Sequence, residues 1–210
     1  MRFHDRTQAA KELAKVLRKY RGEEVVVYAL PRGGVILGQI VATYLHAPLD
    51  LLVPRKIGHP SMPEFAIAAV TELGEVVQNK EEVARVDPAW FAQAVEQERK
   101  EAKRRREVYL QGRARADVAG KTAIIVDDGI ATGLTVRAAI ADVRRSKPAR
   151  VILAVPVAPR DTVQALEGLV DQVIVLEMPQ FFQGSIGAYY DSFDQVSDEE
   201  VVHLLSKNSV

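Results

Sequence analysis

Apolar residues occur along the chain in short runs separated by stretches with helical spacing. EVVVYAL (24–30), LDLLV (49–53), TAIIV (122–126), RVILAVPV (150–157) and DQVIVLEM (171–178) read as buried strands. Ala10, Leu13, Val16, Leu17 and Tyr20 recur at the spacing of one helix face, with Thr7 as the expected cap. VILGQIVATYLH (35–46) and residues 134–146 predict helices packed on a sheet, and a short helix is expected from Asp161. Asp87 and Pro88 open a long charged helix reaching about Gly112, with the proline at the first helical position, where an N–H is dispensable. Ser197 caps a last helix whose first turn holds Asp198, Glu199 and Glu200, where the helix dipole favours acids. PRKIGHPSMPEF (54–65) has three prolines and predicts a loop, of a length usually tied to function or motion. AIAAVTELGEVVQN (66–79) predicts two strands joined at Leu73 and Gly74.

Strands alternating with helices imply an α/β fold, a mostly parallel twisted sheet with helices on both faces. In such sheets ligands bind beyond the carboxyl ends of the strands. Three strand ends carry unusual sequence, namely LPRGG, VPRKIG and VDDGIATGLT. The expected division is a core over 1–178, with a mobile loop at 54–80 and the long helix at 88–112, then a C-terminal hood over 179–210.

Composition narrows the choices of partner. The 210 residues are 48% hydrophobic and carry 28 Lys plus Arg against 28 Asp plus Glu. Balanced charge gives no global field for a polyanion or a membrane surface, so any anion site is local. The Arg run in ERKEAKRRREVYLQGR (98–113) is interleaved with acids. It therefore predicts a solvated or subunit-facing helix rather than a nucleic-acid contact. Trp90, Phe91, Ala94 and Val95 on the same helix read as packing residues. The chain has no Cys, which excludes disulfides and thiolate chemistry and suits a reducing compartment. No apolar stretch approaches the roughly 20 residues of a membrane span, and the first residues lack a signal-peptide core. The expected setting is the cytoplasm.

The stretch VDDGIATGLT (126–135) carries the densest chemistry. Gly129 and Gly133 permit close or left-handed backbone. Ala131, Thr132 and Gly133 offer N–H groups at a helix start, and Thr132 and Thr135 add hydroxyls, which together make an anion nest. Asp127 and Asp128 would repel a phosphate beside them, so they are expected to accept hydrogen bonds from hydroxyls, with phosphate further along. A sugar phosphate has that layout. The plain alternative is a strand-to-helix turn with two solvated acids. Other phosphate motifs fail, because Leu134 stands where a P-loop needs Lys and no G-x-G-x-x-G follows a strand. Gln183 likewise breaks a G-x-S-x-G pattern.

AIIVDDGIATGLT (123–135) resembles the signature of type I phosphoribosyltransferases, and the likeness runs in order along most of the chain. The resemblance implies their fold, with a small hood built from the terminal segments. It implies a Mg2+-dependent pentosyltransferase of nucleotide metabolism, passing ribose 5-phosphate from 5-phosphoribosyl 1-pyrophosphate (PRPP) to a nitrogenous base with release of pyrophosphate. Asp127 and Asp128 would hold the ribose hydroxyls, and Ala131, Thr132, Gly133, Leu134 and Thr135 the 5-phosphate. ALPRGGVILG (29–38) resembles the family's pyrophosphate loop, which often carries a non-proline cis peptide. Arg32, Gly33 and Gly34, joined by Arg55 and Lys56 from the next strand end, would hold pyrophosphate. Asp127, Asp128, Arg32 and Lys56 thus form the implied catalytic set. FFQGSIGAYYDSF (181–193) resembles the hood of purine enzymes and makes Phe181, Phe182, Ile186 and Asp191 the implied base pocket. No dedicated metal ligands are implied, since Mg2+ would ride on substrate oxygens and water. The implied partners are small molecules, without nucleic acid or membrane, and the family commonly forms homodimers.

The sequence also departs from that pattern. Gly129 stands where an apolar residue is usual and is expected to loosen the loop. Ala131 replaces an acid of hypoxanthine-guanine enzymes, Pro156 stands in place of their Lys, and Gly184 in place of a stacking aromatic. The acceptor base stays open, and so does a PRPP- or nucleotide-sensing regulator on the same fold. A phosphoacceptor receiver domain would need a Lys at a later strand end, and VAPR and EMPQ supply none.

Overall fold

The structure, a computed structural model, describes residues 2–207. In chain order its strands are β1 (Val25–Ala29), β2 (Leu49–Leu51), β3 (Arg55–His59), β4 (Met62–Val70), β5 (Val76–Gln78), β6 (Thr122–Val126), β7 (Arg150–Val157) and β8 (Gln172–Glu177). Its helices are α1 (Arg6–Leu17), α2 (Gly34–Leu45), α3 (Lys80–Val83), α4 (Pro88–Leu110), α5 (Leu134–Arg145), α6 (Arg160–Glu167) and α7 (Asp198–Ser206). Each apolar run expected as a strand is one, and TAIIV and RVILAVPV keep the expected bounds.

Five strands form a parallel sheet in the order β2-β1-β6-β7-β8. Successive side chains of a strand point to opposite faces, and this alternation divides the core in two. Val25, Val27, Ala29, Ile124, Val126, Ile152 and Ala154 face α1, α2, α7 and the C-terminal half of α4. Val26, Tyr28, Ala123, Ile125, Val151, Leu153 and Val155 face α5 and α6. Both faces are covered, so the central strands carry almost no polar side chain.

A second, antiparallel sheet has the order β3-β4-β5 and corrects the loop expected at 54–65. The three prolines do not break the strands because each falls where the ladder can spare an N–H. Pro54 precedes β3, Pro60 lies in the connecting turn, and Pro63 sits where the β3–β4 register shifts around Gly58. A Cβ on Gly58 would stand 2.1 Å from the Pro63 carbonyl oxygen, so this close crossing demands glycine. The N-terminal half of α4 covers the small sheet, with Trp90, Phe91, Ala94 and Val95 packed against Ile57, Ile67 and Val70.

Helix boundaries also shift, and one helix is new. Asp5, not Thr7, caps α1 by accepting the Gln8 N–H at 2.7 Å, because the helix starts one residue before Thr7. Its buried face uses Ala9 and Ala14, while Val16 is 48% exposed. α4 stops at Leu110 because Gln111 already takes a left-handed conformation (φ 49°). α3, unexpected from periodicity, is capped by Asn79.

Both chain ends build the hood. The Phe3 N–H donates to the Tyr189 carbonyl at 2.8 Å, and the Asp191 N–H donates to the Phe3 carbonyl at 2.9 Å. Phe3, Tyr189 and Tyr190 are buried there against Val157 and Ile186. α7 continues inward, placing Val201 and Leu205 in the main core.

Candidate functional site

β1 and β6 are neighbours in the sheet, and the chain leaves them for opposite sides, so the crevice beyond their carboxyl ends is a topological switch point. β1 runs into Pro31-Arg32-Gly33-Gly34 and β6 into Asp127-Asp128, with Ala29 paired to Val126. The Pro31–Arg32 peptide is cis. The two loops touch. A Cβ on Gly33 would stand 1.9 Å from Asp128 Oδ2, and one on Gly34 would stand 2.9 Å from Asp127 Oδ1. Glycine is therefore required for space at both positions, and a small-residue loop is what lets the backbone lie on the acids.

Asp128 is held from three directions. The Arg6 Nε donates to Asp128 Oδ2 at 2.7 Å, with the two side chains only 11% and 15% exposed. Tyr190 donates its hydroxyl to the Asp128 carbonyl at 2.6 Å. Arg6 itself lies 3.7 Å from the Phe193 ring centroid and donates to the Asp194 carbonyl at 2.7 Å. Asp127 Oδ1 accepts the Asp128 N–H at 2.8 Å. Burial, and then the neighbouring Asp128 charge, push the Asp127 carboxyl well above its ordinary value. Burial raises Asp128 too, against the lowering pull of Arg6. Two carboxyls beside one guanidinium are relieved by a shared proton. Tyr190 is raised by burial and by Asp128, which keeps its phenol a donor.

Past the acids, the loop climbs to α5. Ile130 donates its N–H to the Val157 carbonyl at 2.9 Å, and the Thr162 hydroxyl donates to the Ala131 carbonyl at 2.7 Å, so β7 and α6 fix the loop. Gly133 turns left-handed (φ 79°) to start α5, and no side chain caps that helix. α2, starting after Gly33, and α6, starting after Pro159, are uncapped as well, whereas α1, α3, α4 and α7 each have a capping side chain. Uncapped first-turn N–H groups and the positive end of the dipole are what an anion needs. Thr132 is exposed at this mouth, and Ala131, Leu134 and Thr135 are partly so.

The expected loosening at Gly129 is corrected. The residue is buried, and a Cβ there would stand 2.5 Å from Ile186 Cγ2 and 2.9 Å from Val157 Cγ1. Ile186 in the hood fills the space that an apolar residue at 129 would take.

The remaining expected residues lie around this crevice or away from it. Arg32 is partly exposed, 3.7 Å from Asp198, whose carboxylate also accepts the Tyr109 hydroxyl at 2.7 Å. Burial, and then Asp198, push the Tyr109 phenol up to about 12. Arg55 donates to Glu98 of α4 at 2.8 Å and so ties the small sheet to that helix. Lys56 is exposed beside a small cleft of about 140 Å³ with Trp90 and Gln97. In the hood, Phe182 stacks on Tyr189 with ring centroids 5.7 Å apart, and Asp191 pairs with Arg2 at 2.7 Å. Phe181 is 81% exposed.

Arg6, Tyr190 and Phe193 were not expected at the acidic pair. Arg6 is 122 residues from Asp128 in sequence, so no local spacing signals the contact. An arginine opening an amphipathic helix reads as ordinary surface charge. Among the described residues no cluster of three or more His, Cys, Asp or Glu side chains is arranged around a metal position. The two acids alone do not form a cation cage, with Asp128 engaged by Arg6. No helix of the described residues is long and apolar enough to cross a membrane.

Comparison with known proteins bears on the family and the fold. A family model described as "Phosphoribosyl transferase domain" matches residues 3–192. Over 207 residues the chain is 42% identical to a Mycobacterium tuberculosis protein named "Putative phosphoribosyl transferase Rv0571c". That match takes in 98% of this chain and 46% of the relative, so the chain spans about half the relative's length. The solved structure of TT1426 from Thermus thermophilus superposes with a TM-score of 0.84 at 38% identity, covering 100% of each chain.

Proposed function

The chain belongs to the phosphoribosyl transferase domain family, and from that membership we propose that it transfers ribose 5-phosphate from PRPP to a nitrogenous base, releasing pyrophosphate. One observation carries the reading. A half-buried acidic pair lies directly against a glycine loop on one side and opens into an uncapped helix start on the other. Hydroxyl acceptors between two anion-binding backbones match a sugar with a phosphate at one end and a diphosphate at the other.

In this reading Asp127 and Asp128 accept the ribose hydroxyls, and the N–H groups and hydroxyls of residues 131–135 bind the 5-phosphate. Arg32, leaving Asp198, meets the pyrophosphate with Gly33 and Gly34. Charge-assisted contacts of this kind are shorter and roughly twice as strong as neutral ones. The bond from C1 to the pyrophosphate oxygen breaks as the carbon gains oxocarbenium character, and a base nitrogen bonds to C1 from the opposite face and loses its proton. The protein's contribution is placement and charge stabilisation. Mg2+, which the family generally uses, enters in this proposal on the donor, because the ion readily keeps phosphate and water ligands. No step is assigned to it. The closing role expected of 54–80 falls to the β3–β4 hairpin and Lys56, and exposed Phe181 is the aromatic proposed to stack on the base.

A PRPP-sensing regulator is the second reading, favoured by Ala131 lacking an acid and by Arg6 already engaging Asp128. Incubating the protein with PRPP, Mg2+ and a panel of purine and pyrimidine bases, and measuring pyrophosphate release, separates the two. Release with one base supports transfer. PRPP binding without release on any base supports the regulator, and no PRPP binding removes both.

A further inference from the structure

Residues of the C-terminal half of α4, the β4–β5 turn and the chain just after α4 enclose a cleft of about 690 Å³, a volume typical of small-molecule sites. It is lined by none of the residues assigned to the acidic crevice. Six cationic side chains line it, Arg99, Lys100, Lys103, Arg106, Arg113 and Arg115, against three lining acids, and Asp50 and Asp142 behind the lining pair with Arg106 and Arg115. Arg99, Lys103, Arg106 and Leu110 follow one another at i, i+4, i+7 and i+11, which is one face of the helix.

The charges on this face are less well matched than those beside it. On the neighbouring face, Glu101 binds both Arg104 and Arg105 at 2.7 Å. Within the cleft, Glu96 serves Arg99 at 3.5 Å and Lys100 at 3.9 Å, and Lys103 has no acidic partner among the described residues. The floor is rigid. Arg106 and Arg115 both grip Glu72 Oε1, at 3.2 and 2.8 Å, and Arg106 also reaches Asp50 at 2.8 Å. The Glu72 side chain is 6% exposed, and its Oε2 has no hydrogen-bond partner. Burial raises the Glu72 carboxyl, against the lowering pull of Arg106 and Arg115.

We infer that this cleft is a second binding site, for a ligand carrying a polyphosphate chain such as a nucleoside triphosphate. From Arg99 to Lys103 the exposed cationic stripe spans about 6 Å along the helix, within the reach of a triphosphate, and Arg106 beyond it is held by Asp50, Glu72 and the Leu51 carbonyl. Exposed Leu73 and the buried edge of Leu110 supply apolar surface for a ring at its end. Arg115 in the floor also holds Asp142 of α5 at 2.9 Å, so the site shares a residue with the helix that begins at the 131–135 loop.

Calorimetric titration of the full chain with ATP, inorganic tripolyphosphate and adenosine tests this, comparing wild type, the Arg99→Glu/Lys103→Glu double variant and Asp128→Asn. Arg99 and Lys103 are exposed, so circular dichroism should show the double variant folded, and the same measurement checks Asp128→Asn. The double variant is expected to lose one ATP equivalent, or to bind it about ten-fold or more weakly, a change of about 1.4 kcal/mol. Asp128→Asn should keep that equivalent. Tripolyphosphate binding where adenosine fails supports the chain as the recognised group, and tighter binding of ATP than of tripolyphosphate identifies the nucleotide as the source. Wild-type ATP affinity and stoichiometry in the double variant would overturn the proposal, as would loss of this equivalent in Asp128→Asn or no ATP binding by wild type.

Discussion

Asp127 costs the fold stability. Its carboxyl is raised by burial and by Asp128, so the folded state resists ionising it. For an acid raised on folding, the associated stability is present below its unfolded value and is lost as pH rises through the folded one. Asp127→Asn is thus expected to melt a few degrees above wild type at pH 7, at about 2–4 °C per kcal/mol for a chain of this size. The gap should close as pH falls toward the ordinary carboxylate range, and melting curves across pH read it directly. Gly129 gives a second test at this scale. Gly129→Ala should destabilise by about 1–3 kcal/mol through the clash with Ile186, and Ile186→Ala in the same chain should recover part of that loss. Denaturant unfolding of the double-mutant cycle would show the two changes coupled rather than additive.

Single elements are held to the site by ion pairs that cross long stretches of sequence. α1 delivers Arg6 to Asp128, and α7 offers Asp198 to Arg32. Removing one partner of a nearly buried pair leaves the other uncompensated, so Arg6→Ala should cost about 3 kcal/mol. A calorimetric melting point roughly 6–12 °C lower is the expected reading. Such links explain where sequence reading stopped. Runs like TAIIV declare themselves by composition, and DDGIATGLT by the conflict between acids and an anion nest. Arg6 carries no such mark, because its role depends on how a helix at the chain start docks over the sheet. Likewise the prolines of 54–65 suggested a loop, since their harmless positions follow from the β3–β4 register and bulge. Ile186 was expected near a base, and its place over Gly129 is visible only in three dimensions.

At the scale of the molecule, the α/β architecture follows from alternating strands and helices, and the sheet order puts the two glycine- and acid-bearing loops at one switch point. The family is shown by the match over residues 3–192. The acceptor was not legible, because the residues proposed to read it sit in the hood, where aromatic packing between both chain ends overrides local pattern. The donor is the part on which the proposed function rests. Its most direct test is the Kd for PRPP with Mg2+, measured by calorimetry on wild type and on Asp128→Asn confirmed folded by circular dichroism. Losing charge-assisted hydrogen bonds worth about 1.5–3 kcal/mol predicts affinity weaker by roughly ten- to a hundred-fold. Equal affinity in the two proteins, or no binding by wild type, would contradict the assignment of this crevice to the phosphoribosyl donor.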